Sequence, residues 1–154
     1  MRALHFLVIA AIFLSVSCAS RNSEVNVRTY HMKDVRRVSR EYMVERAEQQ
    51  RRLRGAVEHS DMLARAGQYY MIEWDVRKYP VDESIRVVFK YHQAGTGATE
   101  LQMVENFAKT KQKGNCEFCV TGESYNVNGR VLDWRVEVHA GANLLAAEQS
   151  YLWE

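Results

Sequence analysis

From Gln68 onward, hydrophobic and polar residues alternate with a period of two, which is typical of half-buried β-strands. In the stretch 68–76, for example, Tyr70, Ile72 and Trp74 fall on one face of the predicted strand. Further alternating runs follow, separated by Gly, Pro and Asn turn residues such as Asn128-Gly129, and a shorter run begins at Leu53. The predicted strands are 53–57, 68–76, 85–92, 101–107, 116–121, 130–139 and 144–153.

Seven short strands joined by turns predict a mainly β protein, and the expected architecture is an antiparallel β-sandwich over residues 53–154. One helical turn is expected between the first two strands. Ser60-Asp61 provides its N-cap, and Gly67 provides the left-handed residue that closes it.

Ahead of the sandwich the hydrophobic period changes from two to between three and four. Residues 33–52 contain no Gly or Pro, and Val35, Val38, Tyr42 and Ala47 recur at helical spacing, so we predict one α-helix there. Its apolar stripe is thin, so the helix is expected either to dock loosely on the sandwich or to act as a spacer. Residues 18–32 are polar and predict a flexible tether.

Residues 1–17 have the layout of a secretory signal peptide. Arg2 supplies a positive charge, an apolar run extends from Phe6 to Leu14, and small residues follow. A membrane-spanning helix needs about 20 apolar residues, which this run does not reach. The sequence therefore predicts an exported protein of the cell envelope.

The end of this signal resembles the lipobox of bacterial lipoproteins, in the residues Ser15-Val16-Ser17-Cys18. It departs from the usual pattern because Ser15 stands where an apolar residue is common. The resemblance implies lipidation of Cys18, and Ala19 after it implies an outer-membrane lipoprotein that faces the periplasm or the cell surface. The alternative is cleavage after Ala19, which would leave a soluble periplasmic or secreted protein.

Charge is distributed unevenly along the chain. Residues 21–54 hold ten Lys or Arg against five Asp or Glu, whereas residues 55–154 hold ten against fourteen. The basic stretch either lies against anionic lipid or an acidic wall polymer, or is a solvated surface whose arginines pair with neighbouring glutamates. Export and the lack of interleaved aromatic residues argue against nucleic-acid binding. The candidate basic surface consists of Arg36, Arg37, Arg40, Arg51, Arg52 and Arg54.

Cys116 and Cys119 form a C-x-x-C motif inside a predicted strand. Residues three apart on a strand point to opposite faces, with Cα atoms about 10 Å apart, whereas a disulfide needs less than about 7 Å. No histidine follows Cys119 for haem attachment, and no second C-x-x-C is present for zinc. Thiol-redox or metal-binding function is therefore the alternative, and a buried Cys116 with a partly exposed Cys119 is the simpler expectation. We expect no cofactor.

No other pattern in the sequence predicts catalysis. The histidines lack metalloprotease spacing, the serines lack a nucleophile-elbow context, and Gly95-Thr96-Gly97 has no third glycine or following helix. The aromatic residues of the inward faces are expected to form the core. On the opposite faces, Tyr69, Met71 and Val88 form an apolar patch that either binds a partner or is covered by the helix.

The segment from Gln68 to Trp153 resembles a fibronectin type III or immunoglobulin-like domain in its early inward Trp74 and its long strand before a final hairpin. More weakly, Gly67-Gln68-Tyr69-Tyr70 and Ser150-Tyr151-Leu152-Trp153 are similar to segments of small predicted lipoproteins of verrucomicrobial type. No activity is implied by either resemblance. We expect a non-enzymatic envelope protein, structural or binding a protein or wall polymer. A further alternative is carbohydrate binding through Trp153 or Trp74.

Overall fold

The computed structural model describes residues 24–33, 35 and 43–153 of the chain. The predicted signal peptide, Cys18, Arg36, Arg37 and Arg40 lie outside the described residues. In chain order the elements are β1 (Val25–Met32), α1 (Met43–Leu53), α2 (His59–Ala64), β2 (Gly67–Asp75), β3 (Ile85–Gln93), β4 (Leu101–Phe107), β5 (Lys113–Thr121), α3 (Gly122–Asn128), β6 (Val131–Ala140) and β7 (Asn143–Gln149).

The strands form two antiparallel sheets that pack face to face. One sheet has the order β1-β2-β5 and the other β4-β3-β6-β7. Alternate residues of both sheets enter a shared core, in which Tyr70 of β2 and Phe89 of β3 have ring centroids 4.5 Å apart. The predicted mainly β class and seven-stranded antiparallel sandwich are confirmed.

The first strand is not where the sequence predicted it. Residues 25–32, expected to be a flexible tether, form β1 and pair with β2 along their whole length, from Val25 opposite Trp74 to Met32 opposite Gly67. Val25 and Met32 are buried, and Val27 and Tyr30 are partly buried, so apolar contacts on both faces and the pairing with β2 stabilise this segment as a strand. The predicted strand 53–57 is wrong, because Leu53 ends α1 and a turn follows it.

The described helix α1 therefore lies between β1 and β2 rather than ahead of the sandwich. Of the predicted helix 33–52, residues 43–52 are helical in the structure, whereas Lys33 and Val35 are not. The predicted helical turn is present as α2, but its N-cap is Glu58 rather than Ser60. Its C-cap is Arg65 rather than Gly67, which begins β2. None of the helices in the described part of the chain is long and apolar enough to cross a membrane.

Helix α1 covers the outer face of the three-stranded sheet. The side chain of Arg52 lies over the Tyr69 ring, 3.5 Å from its centroid, and pairs with Glu117 of β5 at 2.5 Å. Around this contact Met32, Val35, Ala66 and Tyr69 form a second buried cluster. Of the two expectations for the predicted apolar patch, the one in which the helix covers it holds for Tyr69. Val88 lies on the outer face of the other sheet, so Tyr69, Met71 and Val88 do not form one patch.

One end of the sandwich is closed by α3, which the sequence did not predict. The fully buried amide of Gln93 donates to the carbonyl oxygens of Ser124 at 3.2 Å and Gly129 at 2.9 Å. On the other side of α3, the Tyr125 hydroxyl is 2.6 Å from His31 Nε2 of β1. Helix α3 is thus held by polar contacts to both sheets.

Candidate functional site

The outer face of the four-stranded sheet, which we name the open face, contrasts with the helix-covered face of the other sheet. Strand register places alternate residues of β3, β4 and β6 side by side on it. Arg86, Gln102, Val104 and Asn106 are exposed there, so solvent reaches the face directly. The open face consists of Arg86, Val88, Lys90, His92, Gln102, Val104, Asn106, Asp133, Arg135, Glu137 and His139.

A shallow groove of about 480 Å³ crosses the open face. Its floor is formed by Val88 and Val104, which are direct partners on neighbouring strands. Polar and charged side chains line both sides of this apolar strip. They are Arg86, Lys90, Gln102, Asn106, Glu137 and His139.

Glu137 is the centre of an ion-pair network in the groove. Its side chain is largely buried, and its oxygens lie 3.2 Å from Lys90 Nζ, 2.8 Å from Arg135 Nε and 3.0 Å from His139 Nε2. Burial alone would raise the pKa of Glu137, but the hydrogen bonds from these three residues outweigh it and keep the pKa below its ordinary value. The carboxylate therefore stays charged near neutral pH and fixes the three side chains in place.

The cationic groups around the groove outnumber its carboxylates. Arg86 makes no ion pair with any residue that the structure describes. It is exposed and lies directly opposite His139 of β6. The Nδ1 atom of His139 is buried and has no hydrogen-bond partner within the described residues. A ligand in this groove would thus meet Arg86 and Lys90, while Glu137 lies beneath its cationic partners.

The far end of the open face carries a different cluster. His92 Nδ1 is 2.6 Å from Asp133 Oδ1, and Trp153 stacks on the His92 ring with centroids 5.1 Å apart. The C-terminal turn is held there by Gln149, whose Nε2 donates to the Trp153 carbonyl at 3.1 Å. Of the two tryptophans expected for carbohydrate binding, Trp74 is buried in the core and Trp153 is partly exposed.

The two cysteines of the C-x-x-C motif lie on opposite faces of β5, as the strand pattern predicted. Cys116 packs against the core between the sheets, and Cys119 packs against the cluster beneath α1. Both thiols are free and partly buried, so Cys116 is less enclosed than expected. Burial raises the pKa of Cys116 to about 12 and that of Cys119 to about 11, which keeps both protonated near neutral pH.

The predicted metal alternative finds no ligand set in the described part of the chain. No group of three or more His, Cys, Asp or Glu side chains converges there in a way that could hold a metal ion. Glu137 and His139 do not form a metal site either, because the cationic groups of Lys90 and Arg135 contact the Glu137 carboxylate.

Only some of the described arginines of the candidate basic surface are exposed. Arg54 is exposed at the end of α1, and Arg51 is exposed but hydrogen-bonded to Glu48 at 2.7 Å. Arg52, by contrast, is 9% exposed and holds α1 to the sheet. The prediction that Arg52 belongs to the basic surface is therefore wrong. Glu48 accepts hydrogen bonds from both Arg51 and Arg52. This agrees with the alternative in which arginines of the basic stretch pair with neighbouring glutamates.

Comparison with known proteins found no relative of this chain. No family model matches the chain, and no curated protein or solved structure matches it at a significant level. The open face must therefore be interpreted from its own chemistry.

Part of the ion-pair network has a signal in the sequence. Arg135, Glu137 and His139 are spaced by two residues, which places all three on one face of a strand. Lys90 has no such signal, because its contact with Glu137 depends on how β3 aligns with β6.

Proposed function

We propose that this chain is a non-enzymatic binding protein of the cell envelope, held at a membrane by a lipid on Cys18, and that it binds its partner through the open face. The observation that carries this proposal is the Glu137 network. It holds Lys90, Arg135 and His139 in defined positions on a sheet face that solvent reaches. Preorganised polar groups beside an apolar strip are what a binding site requires.

The chemistry of the open face supports binding rather than catalysis. The pair of His92 and Asp133 has the geometry of a base and its orienting carboxylate, but Trp153 stacks on the imidazole. None of the residues of the open face as defined above is a serine, threonine or cysteine, so these residues supply no hydroxyl or thiol nucleophile for the base to activate.

The strand order supports the resemblance to fibronectin type III and immunoglobulin-like domains. In immunoglobulin constant domains the fourth strand joins the sheet of strands one, two and five. Here β4 pairs with β3 instead, which leaves the other pairings of that arrangement intact. Such a sandwich is a scaffold used by many binding domains, and the fold by itself implies no activity.

Anchoring at Cys18 would keep this sandwich close to the membrane. Val25 is the seventh residue after Cys18, and an extended chain spans at most about 3.6 Å per residue, so the start of β1 would lie within about 25 Å of the anchor. The open face would then be presented to the envelope near the membrane surface. Without lipidation the same domain would be a soluble binding protein of that compartment.

A second candidate function is carbohydrate binding that includes Trp153. The observation in its favour is the stacked pair of Trp153 and His92, which offers a partly exposed aromatic surface at the end of the open face. The thiol-redox alternative is disfavoured, because Cys116 and Cys119 face away from each other and both have raised pKa values.

The proposal is tested by capture of partners from the native envelope with three variants beside the wild type. Arg86→Glu reverses a charge on the open face, and Arg28→Glu makes the same change on an outward arginine of the three-stranded sheet. We expect Arg86→Glu to lose the captured material and Arg28→Glu to keep it. Cys18→Ala should move the protein from the membrane fraction to the soluble fraction. If Arg86→Glu captures the same partners as the wild type, the proposal is contradicted.

A further inference from the structure

The side chains of the groove are arranged in rows across the strands. Arg86 lies between Asn106 and His139, its direct partners on β4 and β6. Four residues further along β3, Lys90 lies between Gln102 and Arg135 in the same way. Directly paired residues have Cβ atoms about 5 Å apart. Successive rows on one face are about 6.6 Å apart along the strand, which is two residues at about 3.3 Å each.

Between these two polar rows runs a strip with apolar side chains. Val88 is its centre, Val104 lies beside it on β4 with 45% of its surface exposed, and Glu137 is on the other side. The groove thus has an apolar floor flanked on both sides by cations and amides.

We infer that this groove binds a uronic-acid residue of an acidic polysaccharide. A pyranose ring has apolar C–H faces and a polar rim, so it can place a face on the exposed side chain of Val104 while its hydroxyls reach Gln102 and Asn106. Its carboxylate would pair with Arg86, whose planar fork suits a carboxylate and which has no ion-pair partner among the described residues. The inference rests on the proposed function, because it assigns a ligand class to the same open face.

The length of the open face fits a polymer better than a single sugar. From Arg86 to His92 the strand advances about 20 Å, at about 3.3 Å per residue. The groove occupies one part of this length, and the stacked pair of Trp153 and His92 lies at the other end. A glycan chain running along β3 would contact both.

An acidic peptide fits these groups less well. Peptide partners gain most of their affinity from large side chains inserted into deep pockets. The groove is shallow, and Val88 on its floor is already covered by neighbouring side chains to 6% exposure. Charge complementarity combined with amides and a narrow apolar strip therefore favours a carboxylate-bearing glycan.

The inference is tested by titrating the purified mature chain with polygalacturonate and following heat or tryptophan fluorescence. Neutral dextran, polyglutamate and phosphatidylglycerol vesicles serve as the other probes. We expect polygalacturonate to bind, with an affinity that falls as salt is added, and dextran not to bind. Arg86→Glu should weaken binding at least tenfold, and the matched control Arg28→Glu should leave it unchanged.

Amide variants separate sugar recognition from general attraction of anions. Gln102→Ala and Asn106→Ala keep the charge of the groove, and we expect each to weaken polygalacturonate binding several-fold; urea unfolding would verify that each variant is folded. The inference is overturned if polygalacturonate does not bind, if polyglutamate or the vesicles bind equally well, or if Arg86→Glu has no effect. If the wild type does not bind polygalacturonate but its envelope capture still depends on Arg86, the uronic-acid inference is wrong and the proposed function is retained.

Discussion

The guanidinium of Arg52 lies face-on over the ring of Tyr69, with its central carbon 3.5 Å from the ring centroid. The same group forms hydrogen bonds of 2.5 and 3.1 Å to the two carboxylate oxygens of Glu117 and one of 2.7 Å to Glu48. One side chain thus joins α1 to two strands of the three-stranded sheet. A residue that the sequence assigns to a charged surface is the main polar anchor of the helix.

We expect Arg52→Ala to destabilise the protein by about 2 to 4 kcal/mol. The substitution removes a cation–π contact and leaves Glu117 and Glu48 without their buried partner. Urea unfolding of the variant and of the wild type measures the difference. Arg51→Ala is the matched control, because Arg51 is adjacent, equally charged and exposed, and we expect it to cost less than about 1 kcal/mol. Equal losses in the two variants would show that Arg52 is not the anchor.

The elements predicted correctly from sequence are those with strong local patterns. Residues 68–76 place Tyr70, Ile72 and Trp74 at alternate positions and form β2 almost as predicted, and a short helix lies in the predicted region before it. β1 was missed because its alternation changes face midway: Val25 and Val27 pack in the shared core, whereas Tyr30 and Met32 pack in the cluster beneath α1. Its pairing with β2 also joins segments about 40 residues apart in the chain. Long-range pairing of this kind leaves no local pattern in a single sequence.

The candidate site depended even more on long-range placement. Lys90 meets Glu137 only because β3 and β6 pair in one particular register, in which Val88 is opposite Glu137. Likewise, nothing in the sequence distinguishes Arg52 from Arg51, since both follow Glu48 within one helical turn. The side on which α1 contacts the sheet decides which of the two is buried.

The Glu137 network makes stability depend on pH. The folded protein keeps the pKa of Glu137 below its ordinary value, so its contribution is fully present above that ordinary value and is lost as the pH falls through the lowered value. We expect Glu137→Gln to be less stable than the wild type at pH 7, by about 1 to 3 kcal/mol. This difference should shrink as the pH falls below the ordinary glutamate pKa of about 4.3 and then through the lowered pKa of the folded carboxyl.

Urea unfolding at pH 7 and at about pH 3.5 measures this change for the wild type and the variant. Glu100→Gln is the control, because Glu100 is exposed and forms no ion pair within the described residues. Its effect should be small at both pH values. A loss in Glu137→Gln that is the same at both pH values would mean that packing, rather than the charge of Glu137, stabilises this part of the sheet.

The start of β2 requires a glycine for a steric reason. Gly67 has a φ of +145°, and a Cβ at this position would collide with the Val120 carbonyl oxygen and lie 2.8 Å from the Thr121 Cα. Gly97 also has a positive φ, of +60°, but a Cβ there would meet no atom within 4 Å. We expect Gly67→Ala to cost more than about 3 kcal/mol and Gly97→Ala about 1 kcal/mol. Thermal unfolding of both variants checks this, and similar melting temperatures would contradict the predicted contact with β5.

The chemistry of Cys116 and Cys119 provides a direct test of the thiol-redox alternative. With the pKa of Cys116 raised to about 12 and that of Cys119 to about 11, fewer than about one thiol in a thousand is ionised at pH 8. We therefore expect both to react with an aromatic disulfide reagent at least a hundredfold more slowly in the folded protein than in urea. The measurement uses the Cys18→Ala variant, so that only these two thiols contribute to the absorbance change. The two sulfurs should also remain unbridged in oxidised glutathione, because they face opposite sides of β5. A fast-reacting thiol or a Cys116–Cys119 disulfide in the folded protein would instead favour the redox alternative.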